Sequence, residues 1–540
     1  MRPALPAKSR SVWLRSSLLF LLVSIAQAAV VSFERQGNIT RLKLDNGSAE
    51  VEWVTTSTFR FARRWSDEKI VTAPIKPDTV SVSLSEQTGR LSFQTKYLTL
   101  DISKADVSLR SVNKEGKVLL ASTGMTTNTL DLQAAKDEEF YGFGVRTGPS
   151  LDARGLRLKA THPFFISSAG YGLSMRAPGS YTYDVAAARP DRVAIQGENT
   201  DHLEFIFFYG PGPKEIMEEG LAVSERVRGG SPERMELTTS SRLPRMTTRL
   251  PAAGVCQTVH ALVHASMSGA LIPAVDLTPF RKGFESSYRL GANVGVVAPL
   301  FYESSPVDDA VARDASRFRR RLVPFLLTYF QEAHDRAFPV IHPMPLQYPG
   351  DRAGSRLADQ FLLGDELLVA PLCTEAARRS VYLPRGLWTD LRTNIQHKGR
   401  QRIDVEAPAD GPPILARNGS IIPFANEDAP MELHYFPSLA AEFFLWEPDL
   451  EEISQFHAGP SADYWRIETE SKIGRTYEWI LHHKGRPAEV SEGEAAYTEV
   501  TARTMLKPGT WFYDASRGNV HVMVEGGAGQ DRIINLRFQE

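Results

Sequence analysis

Short runs in which apolar and polar residues alternate dominate the first two hundred residues of this 540-residue chain. Residues 38–65 alternate in this way around Asn-Gly at 46–47, and residues 81–103 repeat the pattern around Thr-Gly at 88–89. Because successive side chains of a strand point to opposite faces, this period predicts half-buried antiparallel strands joined by tight turns. Many such strands at short spacing indicate an N-terminal β-sandwich over residues 29–212.

The pattern changes between residues 213 and 372. Residues 213–227 have the composition of a helix that begins at Pro213, a favoured residue type for the first helical position. Four apolar, strand-like runs follow between helical stretches, at 270–277, 294–301, 338–348 and 366–372. Buried parallel strands have such continuous apolar sequences, so this part predicts a parallel α/β arrangement.

From residue 373 the short β-type runs return, in segments such as 380–391, 412–424 and 463–471. They predict one or two C-terminal β-sandwich domains, with expected bounds of 373–455 and 456–540. The fold class expected for the whole chain is therefore multidomain α+β.

The N-terminus has the features of a targeting segment. Four basic residues precede the apolar run 18–25, and the small-residue pattern Ala-Gln-Ala follows at 26–28. This order is typical of a signal peptide, here residues 1–28 with cleavage near Ala28. We therefore expect a secreted or periplasmic protein that has no membrane segment after cleavage. An uncleaved N-terminal anchor is the alternative.

Charge and cysteine content exclude several classes of partner. The net charge is −2, which gives no overall field that would attract nucleic acid. Cys256 and Cys373 are the two cysteines of the chain, too few for a zinc cluster or a disulfide framework. Whether they form a single disulfide is left open by the sequence.

One acid stands out as a candidate for chemistry. Asp276 comes near the end of the apolar run 270–277, immediately before a turn at Thr278 and Pro279. A carboxylate at the end of a buried strand is a common position for a site residue in α/β enzymes. His260 and His264 have the spacing of paired metal ligands, but no third ligand accompanies them. We expect no metal and no cofactor.

Several segments together resemble glycoside hydrolase family 31, the family of α-glucosidases and α-xylosidases. The most extended match is residues 320–351, followed by DQFLLGDELLVAPL at 359–372. FYGFG at 140–144, PFFISSAGYGL at 163–173 and YGPGPKEIMEE at 209–219 are similar to earlier parts of the family. The resemblance implies that the N-terminal sandwich is galactose-mutarotase-like. It also implies that residues 213–372 correspond to the family's (β/α)8 catalytic barrel.

What the family implies is a retaining α-glycosidase with two catalytic aspartates, acting on α-linked oligosaccharides or polysaccharides. The family presents these aspartates in a W-x-D-M-N-E-like and an S-G-D-N-like motif. Neither motif is present, because between Lys214 and Asp276 there is no Trp and no Asp before Asp276 itself. The catalytic positions are therefore unassigned. In the family's D-x-x-x-F pattern, Asp276 and Phe280 match residues that bind substrate hydroxyls, so both are predicted substrate-binding residues.

Other acids and aromatic residues are weaker candidates. Six glutamates fall in the same interval and are interpreted as solvated helix or loop residues: Glu215, Glu218, Glu219, Glu225, Glu233 and Glu236. Trp446, Trp465 and Trp511 could stack on sugar rings, although single aromatic residues in sandwiches more often belong to the core.

Length gives an independent argument about the barrel. A closed (β/α)8 barrel needs roughly 250 residues and eight strands. Residues 213–372 number 160 and contain about four strand-like runs. They predict a truncated barrel that lacks its front half. Its exposed parallel strand edges would offer a protein partner a place to pair.

Three hypotheses for function follow. The first is a catalytically degenerate member of the family that belongs to carbohydrate metabolism and binds glycans. The second is an active retaining α-glycosidase with a rewired site. The third is a non-functional truncated product or a scaffold for protein interactions.

Overall fold

A computed structural model describes residues 29–66, 80–160, 163–177, 179–198, 202–221, 247–249, 254–276, 297, 300–302, 317–374, 378–406, 411–426 and 429–538. Strands predominate among these residues, helices are few, and most strands belong to extended antiparallel sheets. The β-rich, sandwich-like character predicted from the sequence is therefore confirmed. The expected signal peptide lies outside the described residues.

Two antiparallel sheets contain the strands of residues 30–209. These strands are β1 (Val30–Gln36), β2 (Ile39–Leu44), β3 (Gly47–Trp53), β4 (Thr58–Arg64), β5 (Ser83–Gln87), β6 (Arg90–Gln94), β7 (Leu98–Ser103), β8 (Leu109–Asn113), β9 (Val118–Met125), β10 (Thr129–Gln133), β11 (Phe140–Gly142), β12 (Leu156–Ala160), β13 (Phe164–Ser167), β14 (Tyr171–Met175), β15 (Tyr181–Val185), β16 (Arg192–Gly197) and β17 (His202–Tyr209). One sheet has the order β1–β2–β3–β4–β17–β14–β13–β11, and the other β12–β15–β16–β10–β9–β8–β7–β6–β5.

Local sequence explains how these sheets begin. A two-residue turn joins β2 to β3, with Leu44 opposite Gly47. Gly47 has φ 137°, and a Cβ atom there would collide with the carbonyl oxygen of Arg64, so the turn needs glycine. The apolar side chains of these strands form one buried core, in which Phe59 stacks on Phe207 with ring centroids 4.9 Å apart. The hairpin predicted at Asn-Gly is confirmed.

Helix α1 (Pro213–Leu221) follows β17 and begins at the proline, as predicted. Three short strands come next, namely β18 (Thr247–Arg249), β19 (Ile272–Asp276) and β20 (Leu300–Tyr302). They pair in parallel in the order β18–β19–β20. Helix α2 (Val255–Met267) joins β18 to β19, and its last ten residues are buried. The parallel pairing agrees with the alternation of strand-like and helical runs in the sequence.

The segment predicted as a strand at 338–348 is mostly not one. Helix α3 (Val323–Arg336) leads to the two-residue strand β21 (Ile341–His342) and then to the short helix α4 (Met344–Gln347). Pro343 and Pro345 explain the difference, because a proline cannot donate the N–H that a longer strand needs and is well tolerated in a first helical turn. Two further short strands follow, β22 (Phe361–Leu363) and β23 (Leu367–Val369).

The question left open about the cysteines is answered by the structure. Cys256, in the first turn of α2, is joined to Cys373, which lies just after β23. Their Cα atoms are 4.8 Å apart, and 117 positions of sequence separate them. The disulfide therefore ties the helix beside the parallel sheet to the start of the C-terminal β region.

Most of residues 378–538 is again strand. The strands are β24 (Arg378–Leu383), β25 (Leu387–Asp390), β26 (Gln396–Lys398), β27 (Gln401–Glu406), β28 (Ile414–Arg417), β29 (Ser420–Phe424), β30 (Met431–Phe436), β31 (Ala441–Glu447), β32 (Glu452–Ser461), β33 (Tyr464–Ser471), β34 (Arg475–Leu481), β35 (Pro487–Glu492), β36 (Ala495–Ala496), β37 (Thr498–Glu499), β38 (Thr510–Asp514), β39 (Asn519–Gly526) and β40 (Gln530–Phe538). A short 3₁₀ turn covers Arg503–Met505.

Four sheets organise this region. Two of them have six strands each, in the orders β29–β30–β34–β39–β38–β37 and β31–β32–β33–β40–β35–β36. Their shared core includes Phe456, which meets Tyr477 edge to face. A third sheet, β21–β22–β23–β28–β25–β26, bridges the expected boundary at 372–373, and β24 pairs with β27 in the fourth. The expected boundary at 455–456 falls inside β32, and the division into domains stays a prediction.

No helix within the described ranges is long and apolar enough to cross a membrane.

Candidate functional site

The predicted site residue Asp276 is the last residue of β19, and it pairs with Tyr302, the last residue of β20. Ligands of parallel α/β sheets bind at the carboxyl ends of the strands, which is where this pair of residues lies. The backbone thus has the arrangement that the sequence argument requires. The role of Asp276 in substrate binding stays a prediction, and Phe280 lies outside the described residues.

His260 and His264 of α2 share one helix face, and both contact the loop that follows β11. His260 Nδ1 lies 2.9 Å from the carbonyl oxygen of Thr147, and His264 Nε2 lies 3.0 Å from that of Gly148. Burial, together with the nearby charge of Arg146, lowers the pKa of His264 to about 3. Both imidazoles therefore fasten α2 to the N-terminal sandwich. Among the described residues no group of three or more His, Cys, Asp or Glu side chains could hold a metal ion.

The interpretation of the six glutamates as solvated residues is wrong for Glu219. Its carboxylate accepts hydrogen bonds of 2.6–2.7 Å from the hydroxyl groups of Thr55, Ser57 and Thr58. These three residues lie around the start of β4, so Glu219 fastens α1 to the sandwich. Tertiary packing brought the hydroxyls to a helix residue some 160 positions away. Glu225, Glu233 and Glu236 lie outside the described residues.

Ionisable side chains meet where α1 and α3 cross the turn between β22 and β23. We call this group the Asp365 cluster; its members are Lys214, Tyr329, His342, Asp365 and Glu366. Asp365 Oδ1 lies 2.8 Å from Lys214 Nζ and 2.9 Å from His342 Nδ1. The Tyr329 hydroxyl donates to Glu366 Oε2 at 2.6 Å and accepts from the Asp365 N–H at 2.9 Å. The cluster joins residues that are up to 152 positions apart.

The two carboxyl groups of the cluster are driven in opposite directions. Burial alone would raise the pKa of Asp365, but its contacts with His342 and Lys214 hold it well below the usual range. Burial, reinforced by the charge of Asp365, raises the pKa of Glu366 to about 8. Paired carboxyls with separated pKa values can serve as acid and base. In this cluster Lys214 and His342 contact the Asp365 carboxylate, and the Tyr329 hydroxyl donates to the Glu366 carboxyl group. The cluster therefore stabilises the junction of α1, α3 and the turn between β22 and β23.

Replacing Glu366 with glutamine should change how stability depends on pH. Because the folded pKa of Glu366 is raised, wild type loses stability as the pH rises from about 5 to about 8, by roughly 1.4 kcal/mol for each pH unit over which only the folded state keeps this proton. Glu366→Gln carries no proton to lose, so its unfolding free energy should gain on wild type across that interval. Urea unfolding at pH 5 and pH 8 measures the difference. A constant difference at both pH values would contradict a raised pKa for Glu366.

The three tryptophans considered as sugar-stacking residues differ in their surroundings. Trp511 is buried in the C-terminal core. Lys484 Nζ covers the ring of Trp465 at 3.7 Å from its centroid. Trp446 is partly buried, and its backbone N–H donates to the Thr328 hydroxyl of α3 at 3.0 Å. None of the three therefore presents a free, fully exposed ring face.

A surface groove of about 500 Å³ crosses strands β31, β32 and β33 on the outer face of their sheet. We call it the β31–β33 groove; the lining residues used below are Glu442, His457, Gly459, Ser461, Arg466 and Glu468. His457 is directly opposite Glu442 on one side and Glu468 on the other, and Arg466 is opposite Gly459. The three strands thus hold these side chains at fixed spacing.

Sequence reasoning missed this groove, although a signal for it exists. Along β31 and β33 the outward positions alternate with buried ones, so Phe444 and Tyr464 face out while Phe443 and Ile467 are buried. The period predicts which side chains share a face. It does not predict that the face is concave, because that depends on the neighbouring loop at Ala440.

A family comparison identifies part of the chain. Residues 337–422, which include β21–β28, match the model of the glycosyl hydrolase family 31 C-terminal domain. The resemblance to glycoside hydrolase family 31 that the sequence motifs indicated is therefore confirmed, and this segment is similar to the family's C-terminal domain.

Curated relatives are named as alpha-glucosidases and as an isomaltosyltransferase. The murine protein named neutral alpha-glucosidase AB is 37% identical over 123 residues, which are 22% of this chain and 13% of that protein. Alpha-glucosidase 2 of Bacillus thermoamyloliquefaciens is 30% identical over 175 residues, 31% of this chain and 22% of that protein. The isomaltosyltransferase of Sporosarcina globispora is 26% identical over 325 residues, 52% and 29% of the two chains. The chain thus spans less than a third of the length of these relatives.

Solved structures share the fold over nearly the whole chain. The family 31 dextranase of Flavobacterium johnsoniae, complexed with glucose, superposes with a TM-score of 0.80 at 15% identity, covering 95% of this chain and 100% of that one. The cycloalternan-forming enzyme of Listeria monocytogenes superposes with a TM-score of 0.77 at 13% identity, covering 94% and 77%. At such low identity the likeness concerns the fold.

Proposed function

We propose that this chain is a glycoside hydrolase family 31-like protein of carbohydrate metabolism that binds α-linked glycans without hydrolysing them. The observation that carries the proposal is the composition of the interval from Lys214 to Asp276. It contains no Trp and a single Asp, Asp276 itself, where a family enzyme would place two catalytic aspartates.

Retaining hydrolysis needs a second carboxyl about 5–5.5 Å from the first. Glu219 is held by three hydroxyl groups, and Asp365 and Glu366 are held within their own cluster. These three acids of the described residues are engaged in stabilising contacts, and we assign Asp276 a role in binding rather than in cleavage. The ligand class is supported by the relatives, which are named as α-glucosidases, and by a dextranase variant complexed with isomaltotriose.

The parallel strands β18, β19 and β20 fit the proposal as the remnant of a truncated (β/α)8 barrel. A short parallel sheet has two unpaired edges unless something covers them. A protein partner that added a strand would pair with such an edge, and we place a scaffold role second to glycan binding.

We also propose a secreted or periplasmic location. Disulfides persist in oxidising compartments and are rare in the cytosol, so the Cys256–Cys373 bond supports this location independently of the N-terminal sequence. The predicted cleavage site near Ala28 can be checked by N-terminal sequencing of the exported protein.

Hydrolysis and binding assays on the purified protein test the function directly. Nitrophenol release from aryl α-glucosides and α-xylosides should not exceed that of a heat-inactivated sample, and Asp276→Ala should leave it unchanged. Isomaltotriose should bind measurably in calorimetry. Turnover that disappears in Asp276→Ala would overturn the proposal in favour of an active, rewired glycosidase. A chain without a cooperative melting transition would instead indicate a non-functional truncated product.

A further inference from the structure

The shape of the β31–β33 groove is built into its strands. Gly459 of β32 lies against the loop before β31, and a Cβ atom there would come within 2.8 Å of the Ala440 Cα. A side chain at this position would both clash with that backbone and fill the groove. The volume of the groove, about 500 Å³, lies within the range of ligand sites, roughly 300–1,000 Å³. The strands therefore hold open a space of ligand size.

The groove holds one ion pair, and a second carboxylate lies beside a histidine. Arg466 lies 3.4 Å from Glu468, and His457 lies 3.9 Å from Glu442. An anionic ligand would meet the two carboxylates, and a cationic ligand would meet the guanidinium of Arg466. The two carboxylates outnumber the guanidinium and disfavour an anion, while an uncharged, polar ligand meets no electrostatic repulsion.

Hydrogen-bonding groups in the groove are mixed in kind. The carboxylates of Glu442 and Glu468 accept, the guanidinium of Arg466 donates, and the Ser461 hydroxyl does both. Every sugar hydroxyl can donate one hydrogen bond and accept others, so it needs such a mixture. A ligand with many hydroxyl groups is the neutral polar molecule that matches these residues best.

Two exposed aromatic rings flank the groove. Tyr464 is directly opposite Ser461 and 40% exposed, and Phe444, 44% exposed, lies with its ring centroid 6.3 Å from that of His457. Large aromatic side chains are normally buried for the apolar area they contribute. Exposed beside a polar groove, these rings offer flat apolar faces to the C–H face of a pyranose ring.

We propose that the β31–β33 groove binds a neutral oligosaccharide, with Tyr464 as the stacking residue and Arg466, Glu442 and Glu468 as partners of the sugar hydroxyls. The inference rests on the proposed glycan-binding function and deepens it, because it adds a second glycan site, on the C-terminal sheet, to the one proposed at Asp276. The groove lies outside residues 337–422, the segment that matches the family's C-terminal domain.

Calorimetric titration of the purified full chain with isomaltotriose and maltotriose tests this assignment. Tyr464→Ala should weaken binding at the groove at least tenfold, and Gly459→Leu, which fills the groove, should abolish binding there. Ile395→Ala is a matched control, because Ile395 is an apolar side chain 54% exposed in the turn before β26, outside the groove. It should bind like wild type, and circular dichroism melting of each variant shows whether the fold is retained.

The outcomes distinguish failure of the groove assignment from failure of the proposed glycan-binding function. Weaker binding in Tyr464→Ala, with Ile395→Ala like wild type, supports the groove. Binding that survives in Tyr464→Ala and disappears in Asp276→Ala overturns the groove and leaves the glycan-binding function standing. Binding of a cationic glucosamine trisaccharide but not of the neutral sugars overturns the ligand class. Failure of wild type to bind any of these sugars overturns both proposals.

Discussion

Loss of the Cys256–Cys373 disulfide should lower the free energy of unfolding by about 4–5 kcal/mol, one of the two largest single effects that we expect. The cross-link closes a loop of 117 positions, and in the chain-entropy description a loop of this size removes that much disorder from the unfolded state. It also fixes α2, whose buried residues pack against β19 and β21. The loss of stability should therefore include the packing of α2 against these two strands.

Urea unfolding followed by tryptophan fluorescence measures the loss. Wild type should unfold at a lower urea concentration once dithiothreitol is added, and Cys256→Ser/Cys373→Ser should match reduced wild type. The double variant is its own control, because reductant should then change nothing. A wild-type midpoint that stays the same with and without reductant would show that the cross-link contributes no stability.

Replacing Arg60 with methionine should destabilise the N-terminal sandwich by about 3–5 kcal/mol, because it removes the counter-charge of the buried Glu52 and leaves Glu50 with the exposed Arg41. The guanidinium of Arg60, with a side chain 4% exposed, lies 2.7 Å from Glu50, 2.8 Å from Glu52 and 3.6 Å from Glu204. Burial already raises the pKa of Glu52, and Arg60 is the group that opposes this shift. Without Arg60 three acids would face one another inside the structure.

The loss in Arg60→Met should depend on pH with a definite sign. A raised carboxyl pKa costs stability as the pH rises through it, so the deficit should be greater at pH 8 than at pH 5. Arg41→Met is the matched control, because Arg41 also pairs with Glu50, at 3.0 Å, but is 52% exposed. It should cost less than about 1 kcal/mol. Equal losses in the two variants would argue against a special role for buried charge.

Much of the fold could be predicted from the sequence because the signals are local. A period of two residues specified the strands of the sandwich, and proline at the start of a helix specified where α1 begins. The same reasoning failed at 338–348, where an apolar run was taken as one strand. Apolar content alone does not distinguish a strand from a short helix. Pro343 and Pro345 limit the strand here to two residues and favour the short helix α4.

The candidate site was predictable in part. The pattern around Asp276 placed it at a strand end, and the structure has it there, beside Tyr302. Its function depends on which side chains surround it, and that is a matter of tertiary structure. The β31–β33 groove was not predicted because no motif marks it, and its residues become a set only when β31, β32 and β33 pair.

The acidic residues show most clearly that sequence alone does not predict the partners of a side chain. Glu219 looked like any solvated helix glutamate, yet three hydroxyl groups from the sandwich hold it. Asp365 and Glu366 are adjacent in sequence, yet their pKa values move in opposite directions, because His342 and Lys214 lower that of Asp365 while burial and the charge of Asp365 raise that of Glu366. Sequence gives the chemical type of a side chain, while its partners set its charge and its role.

By itself, the sequence determined the β-rich architecture, the resemblance to glycoside hydrolase family 31 and the absence of that family's two catalytic motifs before Asp276. These are properties of residue order and composition. Tertiary structure alone decided the Cys256–Cys373 pairing, the engagement of Glu219, Asp365 and Glu366 in stabilising contacts, and the groove on the C-terminal sheet. Each of these depends on residues far apart in the chain, whose approach is set by the packing of whole sheets and helices rather than by any local pattern.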